Sequence, residues 1–390
     1  MEFKLTEEQA FIAESAREFL AHVSNSDAIR AHMELPKGYD DQVWQQISQD
    51  MGWTAILVPE EFGGLGLGWV ELSLVLEAMG QHLLCAPYLA SSCMATTALL
   101  VGGNQEQKSL YLPLLASGEI KGTLAIAPPH GDFESGGMTV EYSPSGDDFI
   151  ITGQSGFVLN GHGAQLVIVA ARRAGSSDSK DVSLFLVPSE TPGLTIKPRP
   201  TLDQTRPLAD IEWDQVKVQR KNLLGQEVQT FQDLEVILSL AAIGVAAEQL
   251  GGCQEVLDQS VTYSMERQQF GKPIAGFQAI KHKAADMMLR AEASRSAVYY
   301  ASCIADDFMT QQISDASELK EAASIAKSYC SEAFFHNASE ALQIHGGVGF
   351  TWEYDIHLYL KRARSMSSFL GDPDYHREKI ASRLLEESTI

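Results

Sequence analysis

The chain has 390 residues, 29 basic and 51 acidic side chains, a formal net charge of −22 and 45% hydrophobic residues. This composition excludes wholesale disorder, and at ~150 residues per domain the length gives two or three domains with a large core. So acidic a chain argues against nucleic acid and anionic membranes as partners, because their phosphates repel it.

The N-terminal run Met1-Glu2-Phe3-Lys4-Leu5-Thr6-Glu7-Glu8 is too charged for a signal peptide. Thr6 and Gln9 have capping-box spacing, and Phe11, Ile12, Ala16, Phe19 and Leu20 then recur on one helical face. Further helical patterns follow near Asp41–Met51, Val70–His82 and Gln105–Ser117. Between them, Gly63-Gly64-Leu65-Gly66-Leu67-Gly68 lacks the G-x-G-x-x-G spacing of a dinucleotide site, and no repeating βαβ pattern follows. It reads as a tight loop.

From about Gly122 to Leu223 the period changes to short runs, Thr123–Ala127, Phe149–Thr152, Leu166–Ala171, Ser183–Val187 and Leu194–Ile196. The turns between them include Ser145-Gly146-Asp147, Asn160-Gly161 and Gly175-Ser176-Ser177-Asp178, a pattern that predicts a β-sandwich or barrel. After Gly225 the chain reads as helical over Gln229–Arg267, Phe277–Phe308 and Ala316–Gln343, with a break at Gly346-Gly347 and a last helix after Asp372-Pro373. Domain boundaries are therefore expected at residues 1–120 (helical), 121–224 (β) and 225–390 (helical bundle). The longest apolar stretch, Val236–Ala247, contains Ser239 and is shorter than the ~20 residues of a spanning helix, so no membrane span is expected. Cys85, Cys93, Cys253, Cys303 and Cys330 include no C-x-x-C pair and read as reduced thiols of a cytoplasmic protein. The histidines and cysteines show no metal-ligand spacing, and no G-x-S-x-G elbow supports hydrolysis.

Two C-terminal segments carry a resemblance. Glu266-Arg267-Gln268-Gln269-Phe270-Gly271-Lys272-Pro273 is similar to the R-x-x-F-G segment of the acyl-CoA dehydrogenase family, and Gln343-Ile344-His345-Gly346-Gly347-Val348-Gly349-Phe350 to its Q-I-x-G-G-x-G-F segment. Pro59-Glu60-Glu61-Phe62-Gly63-Gly64 and Asn222-Leu223-Leu224-Gly225 fall where the family has similar stretches, so the likeness spans the chain. The resemblance implies a flavoprotein tetramer that desaturates acyl thioesters. In that chemistry a desolvated carboxylate removes the α proton, hydrogen bonds hold the developing enolate, and the flavin of FAD accepts the β-hydride. It also implies that Arg267, Phe270, Gln343 and Gly347 reach the pyrophosphate and adenine of a neighbouring chain's FAD. Arginine suits a pyrophosphate through forked, charge-assisted hydrogen bonds, and glycine permits close backbone approach. His345, beside Gly346, reads as a packed histidine rather than a catalytic one.

Elsewhere the sequence departs from the family. Where the family has T-E-P-x-A-G-S-D, the chain has Ala125-Ile126-Ala127-Pro128-Pro129-His130-Gly131-Asp132, with Ala127 and Pro128 replacing threonine and glutamate. Where it has G-x-K-x-W-I-T-N-G, the chain has Gly153-Gln154-Ser155-Gly156-Phe157-Val158-Leu159-Asn160-Gly161. Phe157 retains a ring for the isoalloxazine, whereas Leu159 offers no hydroxyl to flavin N5. Leu370 stands at the usual glutamate base, and Leu234, aligned through Gly244, at the alternative one. Glu235 is one residue away, ~100° around the helix, and is the alternative base.

No catalytic residue is therefore assigned. The run from His345 to Ala363 is similar to the base-lacking subunits of bacterial α2β2 dehydrogenases for steroid side-chain thioesters. The expectation is an FAD-supporting subunit that pairs with a second acyl-CoA dehydrogenase-like chain. An active homotetramer using Glu235 or another base, a flavin-dependent oxygenase or oxidase relative, and a structural subunit without flavin remain alternatives.

Overall fold

The computed structural model describes residues 4–127, 138–176, 178, 181–225 and 230–387. The chain divides into two compact units, with Met1–Ala31, Trp69–Leu84 and Ala242–Ile390 in one, and His32–Gly68 and Cys85–Ala241 in the other.

In the first unit, α1 (Glu7–Val23) opens on the expected capping box, with the Thr6 hydroxyl and the Gln9 amide each accepting the other's backbone N–H. It packs on α4 (Trp69–Gln81), which in turn meets α8 (Gln278–Met309). Helix α7 (Thr230–Glu266) crosses α4 closely, because Gly80 lies against the Glu248 carbonyl and Gly251 against the Glu77 carbonyl. A Cβ at Gly251 would fall 1.8 Å from the Glu77 oxygen, so no other residue fits there. Helix α9 (Ala316–His345) packs against α8, α10 (Ile356–Ser368) and α11 (Pro373–Glu387). Its buried face is mostly Ala and Ser, which lets those helices approach.

The second unit holds helices α3 (Asp41–Gln45), α5 (Thr96–Gly102) and α6 (Gln105–Ala116) and a mixed eight-stranded sheet. The strands are β1 (Gly122–Ala125), β2 (Glu141–Ser145), β3 (Asp148–Leu159), β4 (Leu166–Arg173), β5 (Val182–Pro188), β6 (Leu194–Arg199), β7 (Leu208–Val218) and β8 (Leu223–Leu224). Their order is β6-β7-β3-β2-β4-β5-β8, and the first half of β4 also pairs in parallel with β1. Among the described residues no α-helix interrupts the sheet, so the parallel pairs are not βαβ crossovers. Phe149 meets Tyr142 and Phe185 edge to face at 5.7 and 5.2 Å in its core, and Tyr142 and Phe185 meet at a tilt at 5.1 Å. The Gln107 side chain of α6 donates to the Lys221 and Leu223 carbonyls at 2.8 Å, tying the helix to the last strand.

This is the expected helical, β and helical order, with differences. Helices α2 (Ser26–Met33), α5 and α10, and strands β2 and β7, had no predicted counterpart. The apolar part of α7 is longer than Val236–Ala247 suggested: Phe231–Glu266 is long and apolar enough to cross a membrane. It is a core helix, since 94% of its most apolar window is buried. All five cysteines are free thiols, four of them buried.

Candidate functional site

Arg267 directly follows α7, its N–H donating to the Tyr263 carbonyl at 2.8 Å. The chain then turns through a hairpin of β9 (Gln268–Gln269) and β10 (Lys272–Pro273). Phe270 and Gly271 are the two turn residues, with φ of 52° and 78°, the left-handed pair that a type I′ hairpin needs. The turn leaves Phe270 92% exposed, flanked edge-on by Phe277 at 6.2 Å. Arg267 is exposed and, among the described residues, makes no ion pair.

Gln343 is exposed on the last turn of α9, and Gly346 ends that helix at φ 64°. Gly347 is exposed, with no atom within 4 Å of where a Cβ would stand. Its own chain leaves that face open, as the close approach of an external ligand requires.

A ring stack brings the two segments together. Tyr263, one turn before Arg267, lies 4.2 Å from His345 with the rings 23° apart. Tyr354 meets both rings edge-on. His345 Nδ1 pairs with the Ala341 carbonyl at 2.8 Å, and burial lowers its pKa. That hydrogen bond and the Tyr263 stack make it a packing residue. Nearby, Trp352 is 59% exposed, with Arg30 and Lys361 over its ring at 5.5 and 5.1 Å. Arg267, Phe270, Gln343 and Gly347 thus sit at neighbouring ends of α7 and α9 as exposed groups around an aromatic joint in which His345 is buried and Tyr263 and Tyr354 are half-buried.

The positions expected to hold a base carry none. Leu370 is 5% exposed and has φ 60°, a left-handed geometry rare for a leucine. Leu234 is 3% exposed. Glu235 beside it is half-buried, and its carbonyl accepts the Ser239 hydroxyl at 2.8 Å.

In the β unit, an extra residue in β3 makes a bulge at Gly156-Phe157 that gives Phe157 a φ of 54°. One face of the Phe157 ring is covered by the Arg199 guanidinium, 3.9 Å from its centroid, and Arg199 also pairs with Asp210 at 2.6 Å. Leu159 is 2% exposed, with its carbonyl engaged by the Thr123 hydroxyl at 2.6 Å. Ala127 is buried, its carbonyl accepting the Gly156 N–H. Pro128, Pro129, His130, Gly131 and Asp132 lie outside the described residues. The side chains of Ala127 and Leu159 offer a flavin no hydrogen-bonding group.

No metal-binding cluster occurs among the described residues. Sequence reasoning missed Tyr263, Arg199 and the fully buried Lys327. Lys327 had a signal: it is the lone charge in the run Ala322-Ala323-Ser324-Ile325-Ala326-Lys327-Ser328.

Residues 6–119 match the N-terminal domain of acyl-CoA dehydrogenases and residues 232–385 their C-terminal domain. The chain is 32% identical to a probable acyl-CoA dehydrogenase, YngJ of Bacillus subtilis, over 99% of this chain and 100% of that one. Among solved structures it is similar to butyryl-CoA dehydrogenase of Megasphaera elsdenii (TM-score 0.89, 26% identity, covering 99% of this chain and 100% of that one). It is also similar to the Tcur3481-Tcur3483 steroid ACAD (TM-score 0.87, 26% identity, covering 98% and 99%). The chain belongs to the acyl-CoA dehydrogenase family, whose members are oxidoreductases acting on CH–CH groups with FAD as cofactor.

Proposed function

We propose that this chain is the FAD-supporting subunit of an α2β2 acyl-CoA dehydrogenase that desaturates a steroid side-chain thioester. The observation that carries it is an asymmetry between two half-sites. The groups for a neighbour's FAD, Arg267, Phe270, Gln343 and Gly347, are exposed around the Tyr263–His345 joint. The groups for the chain's own FAD are depleted: Leu159, Ala127 and Leu370 are buried apolar side chains, and Arg199 covers one face of Phe157.

FAD, when bound, accepts the hydride. In this reading Arg267 holds its pyrophosphate by charge-assisted hydrogen bonds, while Gln343 and the backbone at Gly347 contact the adenine half. The partner is a second acyl-CoA dehydrogenase-like chain that brings the carboxylate base and the isoalloxazine pocket. The steroid side chain as substrate class is supported by the likeness to the Tcur3481-Tcur3483 steroid ACAD. The division of labour follows domains 1–120, 121–224 and 225–390, with the lent groups all in the last.

The test is flavin stoichiometry. Co-expression with the partner should give two FAD per four chains and thioester-dependent flavin bleaching, whereas the chain alone should bind flavin weakly and show no bleaching by an acyl-CoA. Four tightly held FAD in a homotetramer of this chain, with bleaching abolished in Glu235→Gln, would replace this reading with the homotetrameric enzyme.

A further inference from the structure

We propose that Lys327 is a positioning residue that fixes the Phe369-Leu370-Gly371 turn and, through it, the wall of the thioester site where Leu370 stands. Lys327 lies midway along α9, 0% exposed, with no carboxylate in ion-pair contact among the described residues. An ammonium has three protons, and here each has an acceptor. They are the Ser331 hydroxyl at 3.0 Å, the Ser367 carbonyl at 3.1 Å and the Gly371 carbonyl at 3.0 Å.

Each acceptor has a structural reason. Ser367 is in the last turn of α10, where carbonyls lack helical partners and the helix dipole favours a cation. Gly371 follows Leu370 with a second positive φ, 97° after 60°; glycine adopts this readily, whereas Leu370 is held in a conformation that its own backbone disfavours. Ser331 is anchored on α7 by reciprocal hydrogen bonds with the Gln249 amide at 3.0 and 3.2 Å. The lysine therefore bridges the α7–α9 contact at Gln249 and Ser331 to the turn.

His376 of α11 completes the clamp. Its Nε2 lies 3.0 Å from the Leu370 carbonyl and its Nδ1 3.3 Å from the Ser324 hydroxyl. With Lys327 it engages the carbonyls of residues 367, 370 and 371. The groups that bear on the ammonium are Cys330 on its own helix, His376 on α11 and Asp372 at the turn. Burial brings the Lys327 pKa down to about 7, so the clamp is strongest below neutrality.

The role toward substrate rests on the placement of Leu370 at the base position, so the test has two arms. In the first, amide hydrogen exchange of residues 369–372 is followed in the full chain from pH 6 to 8, corrected for intrinsic base catalysis. Protection should fall about tenfold across this range, and in Lys327→Met it should already be low at pH 6 and flat with pH. In the second, the dissociation constant of butyryl-CoA should weaken about tenfold in Lys327→Met. Ser331→Ala keeps the charge but removes the anchor, and it should give a smaller shift in the same direction if Lys327→Met does not fold. Flat wild-type protection, or wild-type protection in Lys327→Met, overturns the clamp. Loosened protection with unchanged butyryl-CoA affinity overturns the placement of Leu370 at the thioester site. Neither arm depends on flavin stoichiometry, so failure of the heteromeric reading is distinguishable from both.

Discussion

Tyr263 and His345 stack 4.2 Å apart, and they are the joint between the end of α7, which presents Arg267, and the end of α9, which presents Gln343 and Gly347. Tyr263 lies outside the two motifs that suggested the site, and His345 fills the variable position of one of them. An aromatic pair of this kind contributes ~1 kcal/mol beyond its buried area. Tyr263→Leu keeps the burial and removes the stack. Thermal unfolding should show a loss of ~1 kcal/mol, and FAD retention in the assembled enzyme should fall because the two segments lose their common support. Unchanged retention would show that the segments hold their positions independently.

Arg267→Ala should act on the ligand and not on the fold, since the side chain is exposed and unpaired among the described residues. A hydrogen bond to a charged group contributes about 1.5–3 kcal/mol, so FAD should bind roughly ten- to a hundredfold more weakly. The melting temperature of the flavin-free protein should not move. Equal FAD affinity in mutant and wild-type complexes would remove Arg267 from the cofactor site.

The parts of the fold that were legible in the sequence are those where local chemistry and tertiary role agree. The Thr6–Gln9 capping box and the Gly346 helix stop are examples. Helix α10 was hidden because Asp355 does not cap it through its side chain. That carboxylate instead pairs with Arg30 and accepts from Ser26, so the local start signal serves a long-range contact. Strand β7 was hidden by a bulge: Gln215, at φ 53°, shifts the phase between buried Trp213 and buried Val216 and breaks the alternation. At the proposed site, the residue types at the motif positions, Leu159 and Leu370 among them, are read directly from the sequence. The Arg199 cover on Phe157 and the Tyr263–His345 joint were not, because each pairs side chains distant in sequence.

Asp306 on α8 accepts the Trp69 and Val70 N–H groups, at 2.5 and 3.3 Å, and so caps α4. Burial nevertheless raises its pKa to about 6 from a usual 3.8. The folded state then holds this proton more tightly than the unfolded chain, so its contribution to stability falls as pH rises through the window from 3.8 to about 6. Asp306→Asn lacks that dependence. Denaturant unfolding of both proteins from pH 4 to 7 should show the wild-type losing stability relative to the mutant as pH rises. A constant difference would mean that Asp306 titrates alike in both states.

His376 has the opposite sign. Burial and the Lys327 charge lower its pKa to about 3, so it stays neutral while the unfolded chain protonates below about 6.5. Its contribution to stability is complete above pH 6.5 and is lost as pH falls towards 3. His376→Gln, which keeps a donor for the Leu370 carbonyl, should be less acid-sensitive than wild type, and the gap between their unfolding free energies should shrink or reverse below pH 6. Parallel curves through that range would contradict a neutral buried His376.

Leu370→Glu puts a carboxylate at the position where the proposed function expects the base to be missing. The backbone there is already left-handed, so the exchange adds no new backbone strain. The side chain is only 5% exposed, however, and a carboxylate in that place pays desolvation: its pKa should rise and the fold should lose ~1–3 kcal/mol. A desolvated carboxylate is what α-proton removal needs, so the mutant separates two explanations for a chain without activity. If the base were the single loss, Leu370→Glu would bleach bound flavin with an acyl-CoA. We expect no bleaching, because Leu159 and Ala127 still present no hydrogen-bonding side chain to a flavin. Adding Leu159→Thr to Leu370→Glu should improve flavin retention before it yields any turnover, since a cofactor must be held before a proton and a hydride can leave the same thioester. Turnover in Leu370→Glu alone would show that the chain's own flavin half-site is intact.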